Sequence, residues 1–128
     1  MIGDTIRNAI VADSNLNALV GTRVYPLVFP SNPTLPCITY RVISGYNVPD
    51  IVGEQVYVTR VQLDVWSYKY ITTGAVKSEI MRLFSHYDGV VDGQRLIHVR
   101  VDLVFDTFED NTKLHRAVID LEIRHEGD

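Results

Sequence analysis

Cysteine is nearly absent: Cys37 is the only one in the chain. A lone thiol cannot close an intrachain disulfide, and it cannot build a zinc site from cysteines. Its expected place is the interior, where small free cysteines usually sit. Basic blocks are absent too, and the formal net charge is −4. That balance argues against a protein that grips nucleic acid along its surface. No stretch approaches the roughly 20 apolar residues of a membrane-spanning helix. The opening MIGDTIRNAIVADSN lacks the basic and apolar regions of a secretory signal. A soluble protein made in a reducing cytoplasm is the expectation. No P-loop, G-x-S-x-G or dinucleotide glycine pattern occurs, and there is no internal repeat or low-complexity segment.

What remains is an ordinary globular mixture, 46% hydrophobic and 22% charged over 128 residues. That length suits one domain, residues 1–128, with one packed core. Ile2, Ile6, Ala9 and Ile10 trace a helical stripe, with Asp4 in the first turn where negative charge suits the helix dipole. SNLNALVG reads as a short second helix, with Ser14 as N-cap and Gly21 as C-cap. Four of the five prolines, Pro26, Pro30, Pro33 and Pro36, follow closely. They predict an edge strand and then an extended loop. CITYRVISGY is a strand with Ile38, Tyr40 and Val42 on one face. NVPDIVGEQ reads as a long connection.

The longest strand comes next: Tyr57, Thr59, Val61, Leu63 and Val65 face one way, Arg60, Gln62 and Asp64 the other. One apolar and one polar face belong to an antiparallel sheet covered on one side. A helix follows without a break, its stripe running Val76, Ile80, Leu83, Tyr87 with Phe84 beside it, and Thr72 or Thr73 as cap. HYDGVVDGQ closes it with two glycines. A fourth strand alternates Ile97, Val99, Val101, Leu103 and Phe105 with His98, Arg100 and Asp102. A fifth alternates Ala117, Ile119, Leu121 and Ile123 with Arg116, Asp120, Glu122 and Arg124. DTFEDNTK joins them as a hairpin loop. The reading is an α+β fold, a mostly antiparallel sheet of about five strands with two helices packed on one face.

Candidate chemistry is sparse. His86, His98, His115 and His125 show no ligand spacing and read as surface or strand-end residues. Asp102, Asp120 and Glu122 gather on the polar sheet face, with Arg124 two residues on. Metal-dependent nucleases place carboxylates in this way to hold Mg²⁺, but with a lysine where this chain has arginine, which stays protonated. The bland account of that face is cross-strand charge pairing, each pair worth about 0.2–1 kcal/mol. Trp66, Tyr68 and Tyr70 mark the strand-to-helix junction, where packing or a subunit contact fits better than base stacking.

Four stretches, LNALVGTRVYP, LPCITYRVISG, TRVQLDVWSYKYITTGAVKSEI and TKLHRAVIDLEIRH, appear in one order across most of the chain. In that order the chain resembles the tail terminator family of long-tailed, siphovirus-like phages, also called tail completion or tail-to-head joining proteins. LDVWS leading into an amphipathic helix is the most distinctive part. Ile71, Thr72 and Thr73 stand where the family often has alanines, and residues 46–55 match nothing in it. The resemblance implies a virion structural protein and not an enzyme, with no cofactor, metal or membrane. It would form a homo-oligomer, a hexameric ring, that caps the tail tube, ends its growth and joins the head-neck connector. DNA would pass through the ring without sequence-specific binding, which few basic contacts permit. Assembly would take place in the host bacterial cytoplasm. The alternatives are another neck or connector component of a phage or prophage, or a metal-dependent nuclease-like domain. The loops 44–55 and 106–113 are the candidate contact regions, because loops on a rigid scaffold often carry function. Their candidate subunit or tube contacts are Val48, Asp50, Ile51, Val52, Phe108, Glu109 and Asp110.

Overall fold

The computed structural model describes residues 2–49, 55–85, 87–91 and 93–126. Its elements run α1 (Ile2–Ala12), α2 (Ser14–Val20), β1 (Val24–Pro26), β2 (Cys37–Pro49), β3 (Gln55–Ser67), α3 (Tyr70–Phe84), β4 (Tyr87–Val91), β5 (Gln94–Glu109) and β6 (Leu114–Glu126). The strands form a six-stranded sheet in the order β1-β2-β3-β6-β5-β4. Every pairing is antiparallel except β1 with β2, which is parallel. The mostly antiparallel α+β reading holds. The count is corrected to six strands and three helices.

The core lies between the helices and one sheet face. Ile2, Ile6 and Ile10 of α1 and Val76, Ile80 and Phe84 of α3 meet Val61, Leu63 and Val65 of β3 and Ala117, Ile119, Leu121 and Ile123 of β6. Each of the larger of these side chains stabilises the fold by about 1.5–3 kcal/mol when fully buried. The period-2 and period-3.6 patterns therefore mark the core correctly in β3, α3 and β6. Tyr87 is the exception: the helix stops at Phe84, and Tyr87 opens a strand while keeping its ring against Phe84 at 6.0 Å.

Local chemistry corrects several boundaries. Asp13, not Ser14, caps α2: its carboxylate accepts from the Leu16 N–H at 3.1 Å. Gly21 does end that helix, with φ of 60° and its N–H donating to the Asn17 carbonyl. Neither Thr72 nor Thr73 caps α3. Lys69 holds the cap position without a side-chain bond, and the Thr73 hydroxyl donates back to the Lys69 carbonyl from inside the helix. The helix ends at Ser85, and the glycine-bearing stretch after it is β4, not a loop. The stretch read as the loop 44–55 is mostly strand, because Pro49 pairs with Gln55. Likewise β5 runs to Glu109, where it pairs with Leu114, so the second loop shrinks to residues 110–113.

Bulges lie between Val42 and Ser44 in β2 and between Val101 and Leu103 in β5. A bulge inserts one residue and flips the faces beyond it. That is why Leu103 and Phe105, read as core from their alternation, stand on the polar face and are exposed. Val104 packs on the core in their place.

Candidate functional site

Because β3 is antiparallel to both β2 and β6, the two hairpins point to opposite ends of the sheet. Pro49 and Gln55 lie beside Glu126 at one end, while Ser67 lies beside His115 and Phe108 at the other. Strands of this length separate the ends by roughly 40 Å. The candidate contacts are thus divided. Val48 belongs to β2, opposite Val56, at the first end. Asp50, Ile51 and Val52 lie outside the described residues. Phe108 and Glu109 belong to β5, and Asp110 opens the turn at the second end.

The second end is the better defined. The Phe108 ring lies 4.9 Å from the His115 ring, and Tyr70 meets His115 from the helix side at 5.9 Å. Tyr68, Tyr70 and Phe108 stay largely exposed, and Ile71 is 84% exposed. The structure therefore brings Tyr70, read separately in the sequence, onto one surface with Phe108. Exposed aromatic clusters of this kind commonly mark contact sites. In the turn, Lys113 takes φ of 59° and pairs with Asp110 at 3.2 Å. The Thr112 hydroxyl donates to Glu109 at 3.4 Å. Trp66 is part of the fold instead: Phe29 packs on it edge-on at 5.2 Å, the Arg116 guanidinium lies over it at 5.1 Å, and its indole N–H donates to Thr39.

The helix-free face carries the predicted charges. Arg60 reaches Asp102 at 2.5 Å and Glu122 at 3.6 Å, and Arg100 reaches Glu122 at 2.9 Å and Asp102 at 3.3 Å. The Arg60 hydrogen bond holds the Asp102 carboxyl below its ordinary range. Asp120 differs. Burial pushes its carboxyl up, against the pull of Arg60, and its Oδ1 is buried with no hydrogen-bond partner among the described residues. Two of the three acidic residues are thus tied to arginines, and no group of His, Cys, Asp and Glu among the described residues is placed to hold a metal ion.

One buried group was hidden in the sequence. His125 ends a strand as expected but is buried, not superficial. Its Nε2 lies 2.8 Å from the Thr59 hydroxyl and its ring stacks on Tyr57. It borders a cleft of about 390 Å³ with Ile2, Val42 and Gly45. Cys37 is buried as predicted, and burial raises its thiol to about 11, so it stays protonated and unreactive near neutral pH.

A family model described as tail completion protein gp17 matches residues 4–126. This chain belongs to the tail completion protein family. Its role is structural, in a phage tail. Among solved structures, a chain of one titled "Virion of native gene transfer agent (GTA) particle" shares the fold, with a TM-score of 0.80 at 19% identity. The match covers 98% of this chain and 95% of that one. No curated protein matches. Among the described residues no helix is long and apolar enough to cross a membrane.

Proposed function

We propose that this tail completion protein forms a hexameric ring that caps the finished tail tube, stops its growth and joins the tail to the head-neck connector of a siphovirus-like phage. The family match across nearly the whole chain carries the reading. The geometry supports it in one respect: the β2–β3 and β5–β6 hairpins stand at opposite ends of one sheet, as a piece between two partners requires. Val48, Asp50, Ile51 and Val52 serve one end, and Phe108, Glu109 and Asp110 the other. DNA passes through the ring without being read, and the work is positional, with no chemistry. The fold of the gene transfer agent virion chain is consistent with assembly into such a particle.

Electron microscopy of the concentrated protein, alone and with purified tail tubes, tests this. Rings, or a cap confined to one tube end, are expected. Dispersed monomers under both conditions would overturn the ring. Rings that bind an isolated neck but ignore the tube would make the protein a neck component instead.

A further inference from the structure

The sheet has two unpaired edges. β1 covers β2 only at Ile38–Tyr40. Beyond Tyr40, among the described residues, no strand pairs with the outer edge of β2 up to Pro49, and residues 41–47 are all exposed. On the far side, β4 pairs with β5 only between Gln94 and Val99. From residue 100 to 109, among the described residues, the outer edge of β5 is equally bare. Long bare edges invite another strand, and soluble proteins usually shorten or cover them. Here two are kept, at opposite borders of one sheet.

Resting on the ring proposed above, we infer that neighbouring subunits join edge to edge: residues 41–49 of one copy pair with residues 100–109 of the next, so that the sheets run on into a continuous wall. Three observations select this occupant over an unrelated strand. The first is length. The two bare stretches are nearly equal, and each is bounded, one by β1 and the first hairpin, the other by β4 and the turn at 110–113. A neighbour's β5 fits the gap that β1 leaves, and a neighbour's β2 fits the gap that β4 leaves.

The second is direction. From β2 through β3 and β6 to β5 every step is antiparallel, so β2 and β5 run in opposite senses. A neighbour related by rotation about an axis near the strand direction therefore brings its β2 antiparallel to β5, with its helices on the same side. Such a contact is heterologous and closes a ring when the rotation closes.

The third is the side chains. Centring one bare stretch on the other sets Ser44 opposite Phe105 and Tyr46 opposite Leu103. By register all four lie on the helix-free face. Tyr46 is 60% exposed in the single chain, Leu103 49% and Phe105 46%. Pairing covers three large apolar side chains that otherwise stand unexplained on a charged face. Aligning the stretches also shifts each subunit by four residues along the unbulged strands β3 and β6, roughly 13–14 Å, across four long strands about 19 Å wide. The resulting tilt is roughly 35°, at the lower end of the range that closed barrels adopt.

Cysteine pairs test the contact in the intact protein, with Cys37 retained because it is buried. Ser44→Cys with Phe105→Cys, and Tyr46→Cys with Leu103→Cys, are oxidised under assembling conditions and run on a non-reducing gel. Covalent dimers and a ladder up to the ring are expected from each double variant, and none from the single variants or from Ser44→Cys with Val90→Cys on β4, the strand that covers the rest of the β5 edge. Size-exclusion chromatography with light scattering is read in parallel. Oligomers that form with neither pair linking overturn the edge contact and leave the ring standing. Linking by the Val90 control as readily as by the designed pairs also overturns it. If the wild-type protein stays monomeric alone and on tail tubes, both the ring and the edge contact fall.

Discussion

Asp64 shows how one partner fixes another. Its side chain is only 8% exposed and its Oδ1 accepts from both Nε and Nη2 of Arg116, at 3.3 and 3.2 Å, with Gln62 nearby. Arg116→Ala removes the guanidinium from Asp64 and from the Trp66 ring, and leaves a buried carboxylate behind. The expected cost is about 2–3 kcal/mol in urea unfolding. The double variant Arg116→Ala with Asp64→Ala should lose less than the single one, because no charge is stranded. Asp120 gives the opposite sign. Its folded pKa lies above the ordinary value, so ionisation favours the unfolded chain. Stability falls as pH rises from the ordinary carboxylate value through the folded one, and stays lower above it. Asp120→Asn should therefore raise the melting temperature at pH 7 and lose that advantage near pH 3. The alternation of the last strand showed that Asp120 faces away from the core. That its Oδ1 lacks a hydrogen-bond partner among the described residues while Glu122 and Asp102 have arginines depends on cross-strand register, which no single strand reveals.

Elements were legible in proportion to the cleanness of their period. The run from Tyr57 to Val65, the helix around Val76 and Ile80, and the strand from Ala117 to Ile123 keep one period from end to end, and the structure agrees with them. β4 was missed because YDGVV is short and sits among glycines, which read as a turn. The second half of β5 lies on the face opposite to the one its alternation predicts, because the bulge after Val101 slips the phase. The ends of β2 and β3 were read as loop because Gly, Pro and Asn dominate there, although each strand supplies the other's hydrogen bonds. Capping gives a test at this scale. Asp13 caps α2 and also accepts from Arg82 of α3 at 2.7 Å, while Arg82 pairs with Glu79 at 2.7 Å. Burial works to raise the Asp13 carboxyl, but Arg82 and the Leu16 N–H outweigh it and the pKa is lowered. Its contribution is present above the ordinary carboxylate value and is lost as pH falls from there through the lowered folded value. Asp13→Ala should cost about 1 kcal/mol at pH 7, less below about pH 3, by thermal melts at both. Asp13→Asn, which keeps a capping oxygen, should cost less at pH 7.

At the scale of the molecule, what the sequence could not show is arrangement. Phe108 is recognisable as an exposed aromatic, and Tyr70 as a junction residue, but their meeting around His115 follows from how β5, β6 and α3 converge. A bare strand edge is likewise a property of topology, invisible in residues 41–49 or 100–109 taken alone. The division into two ends makes a prediction that a single contact patch would not. If the ends serve different partners, hydrogen exchange at the turn 110–113 and around Tyr70 should slow when one partner binds, and exchange at the tip of the first hairpin should slow when the other does. The edge contact adds a third signature. Amides of residues 41–49 and 100–109 whose N–H groups point outward should slow on ring formation itself, before either partner is added. Exchange measured on the monomer, the ring, the ring on tail tubes and the ring with necks separates the three. Protection of both ends by one partner alone would sink the two-ended arrangement. Edge amides that slow only when a tube is present would show that the tube templates the ring, because the subunits would then lack enough contact to close without it.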